Sequence, residues 1–446
     1  MPAPFTERDY ADPRTPDMVA ADRPKVEQQV SGLRRLAADP EYTEAFVQRL
    51  QQRRGGSAAV PIEIVRRADG QLMFVAGGQA LLPRAQADAA GLAERSGLRV
   101  VDVDPAAPVV LVEPAAGRNG RSARDIVEEL RRNAGGSRSA DAATADYNYL
   151  VPLGGIVMKA EGGPENSEGS RPFGQVSYPS TGPAPLVAVV DTGVSLERRT
   201  DGYLQGLVQP DNVDALDALP FPTPDQLLDA AAGHGAFVTG VVQQVAPTAQ
   251  LRVHRVTGPD GLCSDLQLAV AIRRAASEGA KIINLSLGTS TVDDTPPPAM
   301  TAAIRDVLAA DDELLIVVAA GNDGDNGVPM WPAALSGTGP GPERFDRVVA
   351  VAGLDPQGQP SSFSSRGDWV TVSTIGQGVL STYVIGTENG TLINDCDPDT
   401  FGPNAWAVWT GSSFAAPQIT GAVARRCEEF GETPPDALKR LINGIP

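Results

Sequence analysis

Short apolar runs recur at residues 186–190, 281–285, 314–319 and 348–351, with helical patterns between them at 237–244, 266–277 and 300–309 and after them at 412–429. A strand that is apolar on both sides must be buried on both faces, and alternation of such strands with helices is the pattern of a parallel sheet covered by helices. Within 267–278, Leu268, Ala271, Ile272 and Ala275 fall on one helical face, a stripe that faces a core and not a cofactor. The first run, Leu186-Val187-Ala188-Val189-Val190, ends in Asp191-Thr192-Gly193, a carboxylate and a tight turn. Open α/β sheets build their sites at the carboxyl ends of strands, so Asp191 is the first candidate.

Two further stretches carry chemistry. Gly233-His234-Gly235 stands where a loop enters a helix, and His234 is one of only two histidines. The other, His254, sits in the alternating strand Leu251–Val256 and reads as a structural side chain. In Thr410-Gly411-Ser412-Ser413-Phe414-Ala415-Ala416-Pro417 a small turn runs into a helix, which sets Ser413 at an N-terminus. Taken alone such a serine caps a helix. With Asp191 and His234 it completes the parts of nucleophilic acyl transfer: an imidazole takes the serine proton and a carboxylate fixes the imidazole. The free N–H groups of a helix N-terminus favour a developing oxyanion.

The chain order Asp191, His234, Ser413 and the motifs around them resemble those of the subtilisin-like serine proteases. A fourth motif, Val317-Val318-Ala319-Ala320-Gly321-Asn322-Asp323-Gly324, is similar to the family's oxyanion segment, and the resemblance covers roughly Pro185–Cys427. It implies a three-layer α/β/α fold in which Asp191 orients His234, His234 is general base and acid, and Ser413 attacks the carbonyl. Asn322 and the Ser413 N–H would hold the oxyanion. Ser286-Leu287-Gly288, after Asn284-Leu285, would bind the substrate strand, and Ala319-Ala320-Gly321 would form the facing wall of the main specificity pocket. The resemblance calls for no cofactor, and the acidic clusters at Asp293-Asp294 and Asp395-Asp397-Asp399 read as solvated loops, so no metal is expected. Ser412 replaces the usual threonine, and Ala236-Phe237 depart from the family pattern after His234.

At 446 residues the chain is long enough for two or three domains. Its net charge of −18 argues against nucleic acid or an anionic membrane as partner, and no apolar stretch is long enough to span a bilayer. The first ten residues lack the apolar core of a secretory signal, and Cys263, Cys396 and Cys427 suit a cytoplasmic protein with free thiols, one bridge remaining open. Residues 1–56 read as a polar arm, loose over 1–23, followed by helices at Val26–Ala37 and Glu41–Gln52, with Arg53-Arg54 as helix-end charge. Over 57–153 the patterns predict strand 71–76, helix 83–96, strands 98–103 and 109–112, helix 122–133 and strand 147–151. That is the β-α-β-β-α-β order of a ferredoxin-like α+β unit. It resembles the chaperone-like inhibitory propeptide of subtilases. The resemblance implies that Tyr147–Gly154 lies in the cleft, that 154–184 is a linker and that 185–446 is catalytic.

The leading expectation is a serine endopeptidase acting on polypeptides, with its own N-terminal domain as partner. The alternatives are a catalytically weak subtilase-fold binding protein and an unrelated esterase. Retention of Asp191, His234, Asn322 and Ser413 argues against the binder, and the missing Gly-x-Ser-x-Gly elbow argues against the esterase.

Overall fold

The computed structural model describes residues 14–55, 60–116, 120–133, 145–153, 165–166, 183–219, 223–325, 327–390 and 398–444. Two helices open it, α1 (Pro16–Ala38) and α2 (Pro40–Arg53), each started by a side chain that accepts a first-turn N–H, from Thr15 and Asp39, with proline in the first turn. Residues 16–23, expected to be loose, are therefore the first turns of α1. The helix is anchored from either side of them: Arg14 donates to the Gly378 carbonyl, and Gln29 donates to the Val408 carbonyl at 2.9 Å.

Next come β1 (Ile62–Arg66), β2 (Leu72–Pro83), α3 (Arg84–Ala90), α4 (Leu92–Arg95), β3 (Leu98–Val101), β4 (Val109–Pro114), α5 (Ala123–Asn133) and β5 (Asp146–Pro152). The one helix expected over 83–96 is two, because Gly91 breaks it in the left-handed region at φ 53°. The strands pair antiparallel in the order β3-β4-β2-β5, with β1 on β2, the spatial order of a ferredoxin-like sheet. Strand β1 has no counterpart among the sequence expectations; its Ile62, Ile64 and Val65 are too few to show a period. The two-residue β6 (Glu165–Asn166) follows.

The larger sheet is parallel. Its strands are β7 (Leu186–Asp191), β8 (Gln250–Arg255), β10 (Ile282–Leu285), β11 (Leu315–Ala319), β12 (Val348–Leu354) and β13 (Val372–Ile375), in the order β13-β12-β11-β10-β7-β8; the short β9 (Leu262–Ser264) lies outside this sheet. Helix α6 (His234–Val245) and helix α9 (Ser412–Phe430) cover one face; α7 (Asp265–Ser277) and α8 (Pro298–Ala310) cover the other. Alternate residues divide accordingly: Val187, Val189, Leu315 and Val317 pack towards α6 and α9, while Ala188, Val190, Ile316 and Val318 pack towards α7 and α8. This is the three-layer α/β/α architecture with a smaller α+β unit before it. Strands β14 (Val379–Thr382), β15 (Gly386–Thr387), β16 (Thr400–Phe401) and β17 (Trp406–Trp409) form small antiparallel pairings at one side, β17 also pairing with β6, and α10 (Pro434–Ile442) closes the chain.

Candidate active site

The parallel order places the ends of β7, β10 and β11 side by side, and Asp191, Ser286 and Asn322 follow at those ends. Close backbone contact then brings the histidine in. A Cβ on Gly235 would lie 2.3 Å from the Gly193 carbonyl oxygen, and one on Gly193, at φ 100°, 2.2 Å from that of Asn212. Only glycine at both positions lets the start of α6 rest on the turn after β7. His234, the first residue of that helix, consequently meets Asp191 with Nδ1 to Oδ1 at 2.7 Å, both residues fully buried.

A buried carboxylate that the sequence did not mark, together with Thr192, holds this junction. Asp214 accepts from the Thr192 hydroxyl at 2.8 Å and the Gly233 N–H at 2.9 Å, and Thr192 in turn accepts from the Gly235 N–H at 3.0 Å. Burial raises the carboxyl pKa of Asp214 and those hydrogen bonds oppose the rise. Nothing in the isolated segment Asn212-Val213-Asp214 distinguishes it from other loop aspartates. Around the imidazole, Trp409 stands edge-on at 5.5 Å and Phe414 at 5.3 Å between ring centres. Phe237, one of the departures after His234, packs on Phe414 at 4.5 Å and so belongs to the same aromatic wall. Trp406 and Trp409 are buried.

Ser413 lies in the first turn of α9, 1% exposed. Its Oγ donates to the Ser286 carbonyl at 3.2 Å, and the Ser286 hydroxyl donates back to the Ser413 carbonyl at 2.8 Å. Asn284 donates to Ser286 Oγ and accepts from Thr420, so a buried chain of hydrogen bonds ties β10 to α9. The Asn322 side-chain oxygen accepts from the Ser412 N–H at 2.9 Å, which turns its Nδ2 to the other side. Ser412 Oγ accepts from the Gly321 N–H at 3.1 Å; serine serves there in place of the usual threonine. His234 Nε2 has no partner among the described residues, and a hydroxyl has a single proton, so Ser413 must leave the Ser286 carbonyl to serve Nε2.

One strand from the N-terminal unit is hydrogen-bonded to segments beside these residues. Strand β5 pairs antiparallel with β9, Leu150 opposite Ser264 and Pro152 opposite Leu262. Beyond it the Leu153 N–H donates to the Gly261 carbonyl, and the Gly288 N–H donates to the Pro152 carbonyl, both at 3.0 Å. Arg53 and Arg54 reach across as well, to Asp225 at 2.6 Å and Asp260 at 3.0 Å, so they are inter-region ion pairs and not merely helix-end charge. Asp294 pairs with Arg67 at 2.6 Å. His254 is buried, 3.9 Å from Glu278, and burial lowers its pKa. Cys263 and Cys427 are buried free thiols, the latter pushed up to about 12 by burial. Cys396, Asp395 and Asp397, and the linker expectation except for 165–166 and 183–184, lie outside the described residues.

These residues stand on a sheet and in an order that define one class of protein: the chain belongs to the subtilase family, matched over residues 182–443. Among characterised relatives it is similar to a thermostable alkaline protease of Halalkalibacterium halodurans, 28% identical over 47% of this chain and 51% of the relative. It also resembles the nisin leader peptide-processing serine protease NisP of Lactococcus lactis, 27% identical over 57% of this chain and 42% of the relative. The chain spans about half the length of these relatives, or less. The crystal structure of fervidolysin from Fervidobacterium pennivorans superposes with a TM-score of 0.52 and 20% identity over 81% of this chain and 56% of that one, a likeness of fold.

Proposed function

We propose that this protein is a serine endopeptidase that works through an acyl-enzyme on Ser413, and that residues 57–153 act as its built-in chaperone and inhibitor. The observation that carries the first part is the buried Asp191–His234 pair at 2.7 Å with Nε2 unengaged, beside a serine at the N-terminus of α9. In the forward step Ser413 Oγ bonds to the substrate carbonyl carbon while its proton passes to His234 Nε2. Asp191 keeps the Nδ1 proton in place and stabilises the charged ring. The negative oxygen is received by Asn322 Nδ2 and the Ser413 N–H. His234 then gives the proton to the leaving amine. Water, deprotonated by the same ring, cleaves the ester and restores the serine.

The second part is supported by the hydrogen bonds of residues 150–153 to Gly261, β9 and Gly288. A peptide substrate would use the same donors and acceptors, by adding a strand. In this reading 154–184 is the connection that is cut or released, and 185–446 is the catalytic region. Intact mass of wild type and Ser413→Ala, with and without a fluorophosphonate reagent, tests both parts. We expect wild type to split between about 153 and 185 and then gain one adduct on Ser413, while the variant stays whole and unlabelled. Unlabelled wild type, even after residues 1–153 are removed by another protease, would leave a subtilase-fold binding protein. Labelled but unsplit wild type would leave an endopeptidase without self-maturation.

A further inference from the structure

The two backbone walls expected to receive a substrate side chain, Ser286-Leu287-Gly288 and Ala319-Ala320-Gly321, do not enclose an empty slot. Met330 lies between them. A Cβ on Gly288 would come within 3.0 Å of Met330 Cγ and Sδ, and one on Gly321 within 2.9 Å of Cγ and 3.0 Å of Cε. The thioether chain therefore rests against both glycines. It is held there from behind: Trp331, fully buried, exchanges both backbone hydrogen bonds with Thr289 at 2.7 and 2.8 Å, and Ala334 N–H binds the Met330 carbonyl at 2.7 Å. Met330 is itself buried, and these bonds fix the backbone that carries its side chain.

What remains open is the space in front of it. A cavity of about 450 Å³ has Gly288, Asn322, Asp323, Val328 and Met330 on the catalytic side and is roofed by α1, α2 and the start of β2. The register of β5 shows which substrate residue meets this floor. Gly288 donates to the carbonyl of Pro152, and for a substrate strand taken to run antiparallel to 286–288 from that bond, the residue two further on faces the residue two further back. A bound strand in this register thus presents that residue to Ser286, beside the Ser413 hydroxyl that touches the Ser286 carbonyl. It is the residue whose carbonyl is attacked. In this chain's own sequence the position two after Pro152 is Gly154, followed by Gly155.

We propose that Met330 is the specificity-determining residue of this site and restricts cleavage to bonds that follow a small residue, glycine or alanine. The proposal rests on the endopeptidase reading above. Size discrimination by an apolar wall amounts to roughly 10–200-fold per added group. Full-length protein, wild type, Met330→Gly and the milder Met330→Ala, is given a denatured protein substrate, and the new C-termini are read by mass spectrometry. Paired peptides differing only in Ala or Phe before the cut bond give kcat/KM. Wild type should leave Gly and Ala at the new C-termini and favour the Ala peptide by at least about tenfold. Met330→Gly should raise the ratio of kcat/KM for the Phe peptide to that for the Ala peptide by at least about tenfold, and Met330→Ala should fall between. Wild type that cuts equally well after Phe or Leu, or a Met330→Ala variant with native melting and an unaltered profile, overturns the assignment of Met330 while leaving endopeptidase activity standing. Wild type that cuts nothing and takes no fluorophosphonate on Ser413 overturns both. Should Met330→Gly fail to fold, the wild-type termini and Met330→Ala still decide.

Discussion

The parallel sheet of β7, β8 and β10–β13 has helices of its own on both faces, whereas the antiparallel sheet of β1–β5 borrows part of its cover. Helices α4 and α5 pack on one side of the antiparallel sheet, against Val75, Leu82, Val112 and Tyr149. On the other side Leu81, Leu111 and Val151 join the core formed by Leu266, Ala269 and Ile272 of α7. Its open edge is likewise completed by β9. The difference teaches that the smaller unit is complete only when docked. A sheet that leaves apolar residues and unpaired N–H groups uncovered is unstable or sticky on its own. The parallel half is covered on both faces by its own helices, and Ser413 within it is buried.

The largest test of this comparison is chemical. If the reaction belongs wholly to the parallel half, Ser413→Ala should lower turnover by about 10⁶-fold and Asn322→Ala by about 10²–10³-fold, the losses known for the corresponding changes in subtilisin, with melting of both sheets unchanged. Steady-state peptide hydrolysis beside calorimetry checks it. The next is structural. Leu81→Ala and Ile316→Ala remove equally buried side chains and should each cost about 2–5 kcal/mol. They should fail differently in hydrogen exchange: Leu81→Ala releases residues 60–153 first, and Ile316→Ala lowers protection throughout the parallel sheet. Equal loss in both halves would mean one cooperative unit. Smaller still, Arg54→Ala leaves Asp260, whose carboxyl burial already raises, without its cation, and should weaken docking by roughly 1–3 kcal/mol, seen as faster proteolysis of α2.

The smallest effect is on pH. Among the carboxyls that burial pushes up to about 7 are Asp146 in the antiparallel half, with Arg131 at 3.1 Å opposing the rise, and Asp265, which accepts the Ala299 and Met300 N–H groups of α8. An ordinary aspartate loses its proton near 4, so between about 4 and 7 the folded protein holds more protons than the unfolded chain. Their contribution to stability therefore declines as pH rises through that window and is flat above it. Melting temperatures at pH 5 and pH 8 should differ less in Asp265→Asn than in wild type; an unchanged difference would show that Asp265 ionises normally.

Most of the larger fold was legible because it is written in unbroken apolar runs and in residues that only one chemistry needs together. Asp191, His234, Asn322 and Ser413 stand at strand ends and helix starts, where sequence signals are strongest. What escaped depends on contacts between distant segments. Asp214 matters because two glycines bring Thr192 and Gly233 to it, and Met330 because the residue after it, Trp331, pairs with the distant Thr289. Arg53 and Arg54 looked like helix ends since their partners, Asp225 and Asp260, lie some 170 and 200 positions away. The turns of α1 before Val26 escaped because their buried face, at Asp22 and beyond, is partly polar.

Strand β5 is hydrogen-bonded to β2 along one edge and to β9 along the other. While the chain between 153 and 183 is whole, those two edges meet at an effective concentration on the order of millimolar, whatever the amount of protein in solution. Breaking a single peptide bond there turns the same contact into an encounter between two molecules. Its occupancy then depends on dilution, so a cut protein stays closed where it is crowded and opens where it is sparse.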